Sequence, residues 1–164
     1  MDNKFEIVLI GSGYYVCGGK KKDYGTILPA ILTFSKIHKI SIEIIVVINK
    51  NESADIFSKK FNHLRELLNI QDLVTYKFIY CKGSSKNFIA QYSQKNKIVA
   101  GIISIPDHLH FEWSKRLLES KIPILVVKPL TLKLEEANKL LDLSKKFSTP
   151  IFVEFHKRFD RQLK

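Results

Sequence analysis

The sequence has little cysteine: two in 164 residues, Cys17 and Cys81. They are too few and too far apart for a disulfide framework or a paired-cysteine metal site. A reduced, cytoplasmic compartment suits such a chain best. Long apolar runs are absent as well, and none approaches the roughly 18 residues a membrane helix needs. The opening MDNKFEIVLIGSG has only the short run Ile7 to Ile10, flanked by Glu6 and Gly11, which is no secretory pattern. Acidic residues are scarce against basic ones, 16 to 27, giving a net charge of +11. That excess attracts polyanions in general. Its tight run, Lys20 to Lys22, lies inside a glycine-bearing loop, and no nucleic-acid motif accompanies it. The charge therefore reads as a lysine-rich surface rather than a nucleic-acid site.

What is present is a globular composition, 45% hydrophobic, in a chain long enough for one domain with a core. Apolar strand-like runs alternate with helical patterns from end to end. The expected strands are Phe5–Ile10, Ile42–Ile48, Val74–Tyr80, Ile98–Ser104, Ile124–Val127 and Ile151–Phe155. Most are continuous runs rich in Ile and Val, as suits strands buried on both faces of a parallel sheet. Val74–Tyr80 alternates more and is expected at an edge. Between them, Ala54, Phe57, Phe61, Leu64 and Leu68 recur at helical spacing, as do Leu134, Ala137, Leu141 and Ser144. Thr131 is a candidate N-cap for the latter helix. Leu109, Trp113 and Leu117 mark another helix after Pro106. This order predicts an α/β fold: a Rossmann-type, doubly wound parallel sheet of six strands in three α/β/α layers.

Three segments carry chemistry. The first follows strand one and reads GSGYYVCGGKKKDYGTILPAIL. Gly11 and Gly13 form G-x-G at the strand's carboxyl end. In a dinucleotide-binding unit the first glycine permits a tight turn and the second admits a pyrophosphate against the backbone. The usual third glycine would fall at position 16, which is Val16, so the loop is expanded. Gly18, Gly19 or Gly25 could make the helix contact instead, with the first helix starting near Thr26. A P-loop is excluded, since Gly19 stands where its lysine would be. At the end of strand two, the ribose-reading position holds neutral Asn49 beside Lys50, which permits NADP without excluding NAD.

The second segment, SIPDHLHFEW, ends strand four. Ile105-Pro106 stops the strand and Asp107 is placed to cap the next helix. His108 and His110 are two apart, a spacing that does not put both on one helix face for a shared metal. The third segment is PILVVKPLTL, an apolar strand that stops at Lys128-Pro129. After strand six comes HKRFD, with His156 and Arg158.

The order G-x-G, IPDHLH, VKPL, helix, HKRFD resembles the N-terminal NAD(P)-binding domain of the Gfo/Idh/MocA oxidoreductases, the glucose–fructose oxidoreductase and inositol dehydrogenase family. The resemblance implies an NAD- or NADP-dependent dehydrogenase or reductase acting on a sugar, cyclitol or nucleotide-linked sugar. It assigns the pyrophosphate to Gly11, Ser12 and Gly13, and a position along the cofactor to Ser104, Pro106 and His110. It makes Lys128 the catalytic lysine beside the nicotinamide, and brings Arg158 toward the active site. It also implies residues 1–155 as the cofactor domain and 156–164 as the start of a connection to a second α/β domain. In that family the second domain supplies most of the substrate pocket and usually a homo-oligomer interface. One departure lies inside the motif: Val127 stands where the family usually has Glu. A lone binding module that performs no chemistry is the alternative reading.

Overall fold

The computed structural model describes residues 4–19, 23–70, 73–81, 89, 92 and 98–155. Six strands form one parallel sheet: β1 (Phe5–Ile10), β2 (Ile42–Ile48), β3 (Val74–Tyr80), β4 (Ile98–Ile103), β5 (Ile124–Val127) and β6 (Ile151–Glu154). Their spatial order is β3-β2-β1-β4-β5-β6. The order reverses between β1 and β4, and that reversal opens a crevice at the carboxyl edge, where doubly wound sheets take their ligands. β3 is the edge strand, in line with its alternating sequence. β4 and β6 each end one residue sooner than their apolar runs suggest.

The helices whose bounds lie within the described residues are α1 (Tyr14–Cys17), α2 (Ile27–His38), α3 (Asn51–Leu68), α4 (His110–Glu119) and α5 (Leu134–Phe147). Successive strand residues point to opposite faces, and the core divides accordingly. Leu9, Ile44 and Val46 pack on one face with Leu28, Leu32, Phe57 and Phe61 from α2 and α3. Val8, Ile10 and Ile45 pack on the other with Leu117, Leu118 and Leu140 from α4 and α5. Phe57 and Phe61, one turn apart on α3, are fully buried, and burial of each is worth roughly 2–3 kcal/mol. Helices α2, α3 and α5 stop where Lys39, Asn69 and Ser148 turn left-handed.

Two expected caps differ. The residue before α5 is Lys133, not Thr131, whose hydroxyl instead donates to the Lys133 carbonyl at 2.9 Å. Asp107 opens a short 3-10 turn, Asp107–Leu109, and makes no side-chain cap. Pro106 places that turn ahead of α4, so the aspartate sits too early to reach the helix amides. Among the described residues, no helix is long and apolar enough to cross a membrane, and no cluster of His, Cys, Asp or Glu could hold a metal ion.

Candidate cofactor and active site

Parallel pairing sets the sequence-marked residues side by side. Ile10 of β1 pairs with Ile103 of β4, and Ile103 with Val126 of β5. One residue further on, Val127 pairs with Glu154 of β6. The Ser104 N–H donates to the Ile10 carbonyl at 3.0 Å, and the Gly11 N–H to the Val47 carbonyl at 3.0 Å. Gly11, Ser104, Val127 and Glu154 thus stand abreast across four strands at the carboxyl edge. Three of them come from the three segments that the sequence marks, because each segment begins where a parallel strand ends.

Gly11 has φ +99°, and a Cβ there would meet the Ser104 carbonyl oxygen at 2.2 Å. Only glycine permits that turn and that approach. Gly13 is the opposite case: it is exposed, and a Cβ on it would meet nothing within 4 Å. The loop is closed behind Gly11 and open in front of Gly13, as a backbone cradle for a pyrophosphate requires. The residues present therefore fit a dinucleotide. Ser12 between them is buried, and its carbonyl lies 3.4 Å from Cys17 Sγ. Burial pushes the Cys17 thiol up to about 11, so this cysteine packs and does not react.

The helix after the cradle is a feature the sequence reading missed. α1 runs a single turn, and Val16, in place of the third glycine, is buried among α2, α3 and sheet residues. Gly18 ends the turn at φ +80°. The chain then loops back until Gly25, at φ +64°, lies against the backbone of α1. A Cβ there would stand 2.8 Å from the Cys17 and Gly18 nitrogens. Of the three glycines considered, Gly25 makes the close contact that starts the long helix. Asp23 secures the loop: it accepts from the Gly19 N–H at 3.0 Å and pairs with Lys60 of α3 at 3.7 Å. The Tyr14 hydroxyl also bonds Asp23, and chiefly for that reason the carboxyl lies below its usual range. Lys20 to Lys22 lie outside the described residues.

Beyond β2, Asn49 and Lys50 are both exposed at the start of α3. Beyond β4, Pro106 is exposed but His110 is 1% exposed. Its Nδ1 lies 2.7 Å from the Pro129 carbonyl oxygen and its Nε2 2.9 Å from the Ile105 carbonyl oxygen. His110 thus ties the segment after β4 to the segment after β5 and stands behind the crevice. His108, two residues earlier, is exposed. Sequence spacing separates the two rings, but only the packing of α4 reveals that one is interior.

Lys128 follows Val127 and precedes a cis peptide bond to Pro129. It is exposed at the carboxyl edge, one residue past the row that holds Gly11 and Ser104. Arg158 and His156 lie outside the described residues. Two groups that sequence reasoning passed over join the row. The Tyr15 hydroxyl of α1 donates to Glu154 Oε2 at 2.7 Å. Burial, then the bond to Glu154, pushes the Tyr15 phenol up to about 12. A carboxylate interrupting the apolar run of β6 was the available signal.

A parallel sheet with a switch point between β1 and β4, a glycine cradle at that point and polar groups along one edge define a dinucleotide-binding α/β domain. The profile of the Gfo/Idh/MocA oxidoreductase family, described as its NAD-binding Rossmann fold, matches residues 5–155, and the chain belongs to that family. No curated protein matches it by sequence. Solved structures share its fold. The WlbA dehydrogenase of Thermus thermophilus, in complex with NAD and alpha-ketoglutarate, matches with TM-score 0.67 and 16% identity over 97% of this chain and 44% of its own. KijD10, a 3-ketoreductase of Actinomadura kijaniata in complex with NADP and TDP-benzene, matches with TM-score 0.65 and 17% identity over 98% of this chain and 40% of its own. Biliverdin reductase of Synechocystis, with biliverdin and NADP+, matches with TM-score 0.60 and 15% identity over 91% and 37%. The chain spans less than half the length of each of these structures.

Proposed function

We propose that this domain binds NAD or NADP along the carboxyl edge of its sheet and is the cofactor half of an oxidoreductase. The reaction would move a hydride between the nicotinamide and a hydroxyl or carbonyl carbon of a sugar, cyclitol or nucleotide-linked sugar. The observation that carries this reading is the row Gly11, Ser104, Val127, Glu154, with an open glycine cradle at one end and Lys128 near the other. The nucleotide-linked ligand of KijD10 supports the substrate class.

The cofactor supplies the hydride chemistry. The protein's part is orientation and one proton. Gly11, Ser12 and Gly13 hold the pyrophosphate on backbone, while Asn49 faces the adenosine ribose and accepts either cofactor form. Ser104 and Pro106 line the middle of the groove. The Lys128 ammonium donates a hydrogen bond to the reacting oxygen and stabilises negative charge as it develops there. The family resemblance assigns residues 156–164, Arg158 among them, to the connection with a second α/β domain that would complete the substrate pocket. The two buried, unpaired cysteines suit a reducing, cytoplasmic setting.

The test is titration of the purified chain with NADH and NADPH, followed by the fluorescence of the bound reduced nicotinamide. Saturable binding of either is expected, and binding of neither overturns the reading. A second reading is a non-catalytic binding module. Val127 favours it, since no carboxylate precedes Lys128 on its own strand. In that case cofactor binds and Lys128 is idle.

A further inference from the structure

We propose that the open sheet face over β5 and β6 is where a second copy of this chain docks, so that the cofactor domain itself pairs. Right-handed crossovers decide which half of each sheet face is covered. The connections leaving β1 and β2 put α2 and α3 on one face, and those leaving β4 and β5 put α4 and α5 on the other. Among the described residues, the first face therefore has no long helix over β5 and β6. Leu9 points to that face, and the register carries it through Ile102 and Leu125 to Phe152. A cavity of about 330 Å³ lies there between α2 and the sheet, with Ile7, Ile102, Leu125, Ala30 and Phe34 among its walls. Aromatic rings stand around it. Phe34 of α2 is 49% exposed, Phe152 of β6 58%, and Phe5 of β1, two residues before Ile7, 44%. Apolar surface gathered in this way marks an interaction site.

Three features select a second copy as the occupant. A two-fold interface must carry both halves of its own fit on one patch. Here the projecting ring and the hollow are neighbours, since Phe152 pairs in register with Leu125 of the cavity wall. A dry cavity of about 150 Å³ admits benzene, so this one has room for the phenyl ring of Phe152 from the other copy. Charge is the second feature. None of the described wall residues is Lys or Arg, in a chain with 27 of them and a net charge of +11. Two such chains repel and meet at least cost on a face without cations, whereas an acidic partner would be drawn to the basic surface instead. The third is area. At about 200 Å² a ring, the three half-exposed phenylalanines bring roughly 300 Å² per copy. With Ile37, one turn beyond Phe34 and 68% exposed, and the cavity walls, a pair would bury on the order of 1,000 Å², where specific interfaces begin.

The experiment is sedimentation equilibrium of the full chain over roughly 1 μM to 1 mM, at low and at raised salt. Wild type should associate reversibly to twice the mass of one chain, with a dissociation constant on the order of 10–100 μM, as suits an interface near the lower size limit. Added salt should tighten the pair, because it screens the like charges of the two copies. Phe152→Lys puts a cation on the projecting ring's position and should weaken association roughly tenfold or more. Ala30→Trp fills the hollow from its own wall while the face stays apolar, and should weaken association to a similar extent. Leu67→Lys, on an exposed leucine of α3, is the control and should leave the pair unchanged. Far-UV circular dichroism checks that each variant is folded. A wild type that stays monomeric throughout the series overturns the proposal and leaves the face to another occupant, such as a second domain. A dimer that withstands either Phe152→Lys or Ala30→Trp is built on another surface and overturns it equally. So does a dimer that loosens as salt is added, since it is held by charge.

Discussion

A Cβ on Gly11 would stand 2.2 Å from the carbonyl oxygen of Ser104. Neither atom can retreat, since the Ser104 N–H is bonded to Ile10 and the Gly11 N–H to Val47. Gly11→Ala therefore combines a left-handed backbone at φ +99° with a backbone clash at the switch point. We expect a loss of about 2–4 kcal/mol, read as the shift of the urea unfolding midpoint. Gly13→Ala should leave that midpoint within about 0.5 kcal/mol, because open space surrounds its Cβ position. It should nevertheless weaken NADH binding, since the added methyl occupies the cradle. Equal destabilisation by the two substitutions would refute this division of labour.

His110 holds two backbone carbonyls, those of Pro129 at 2.7 Å and Ile105 at 2.9 Å. His110→Leu keeps much of the volume and removes the ring N–H, which donates to one of these two buried carbonyls. The expected cost is about 1–3 kcal/mol, with faster hydrogen exchange in β5 and α4. His108→Leu, on the exposed neighbour, is the control and should change stability by less than about 0.5 kcal/mol. If the two variants unfold together, the clamp carries no weight.

The fold was legible because parallel strands buried on both faces leave a plain record. Ile44 to Ile48 and Ile124 to Val127 are continuous apolar runs, and the helical spacing of Phe57, Phe61 and Leu64 lies between two of them. The cradle was legible for the same reason: a G-x-G is bound to the end of the first strand. Tertiary placement was not. Nothing local in HLH says that His110 is interior and His108 is not, because the difference is made by α4 closing on β5. Gly18, Gly19 and Gly25 are equivalent by composition; in the fold Gly18 and Gly25 both take positive φ, Gly18 against Asp23 and Gly25 against the backbone of α1. Thr131 satisfies the capping pattern, but the chain enters α5 two residues later and turns its hydroxyl to the Lys133 carbonyl. The pairing of Tyr15 with Glu154 spans 139 positions, beyond the reach of any local pattern.

Lys128 lies exposed at the groove, one residue past Val127. Lys128→Ala removes a charge and a donor without disturbing the cradle on β1. Cofactor affinity should stay within about threefold of wild type, whereas turnover in a competent assembly should fall roughly 10²- to 10⁴-fold, the usual worth of a positioned proton-handling group. Lys128→Arg keeps the charge but not the proton-transfer chemistry and should recover little. Unchanged turnover would remove the proposed role of Lys128.

The Tyr15 phenol ionises at about 12 in the folded chain, against an ordinary value of 10.0. Burial is the first cause and the bond to Glu154 the second. The fold thus favours the protonated phenol. Below pH 10 both folded and unfolded chains carry that proton, and the contribution is fully present. Between pH 10 and about 12 the unfolded chain has lost the proton and the folded chain has not, so stability falls as pH rises through this window. Tyr15→Phe has no such proton, so its stability should decline less steeply over the same range. The difference in tyrosinate absorbance between wild type and Tyr15→Phe isolates this one phenol. Glu154→Gln should bring its midpoint down from about 12, though not to 10.0, because the burial remains. A midpoint near 10.0 in the wild type would mean that the phenol does not hold the carboxylate in solution.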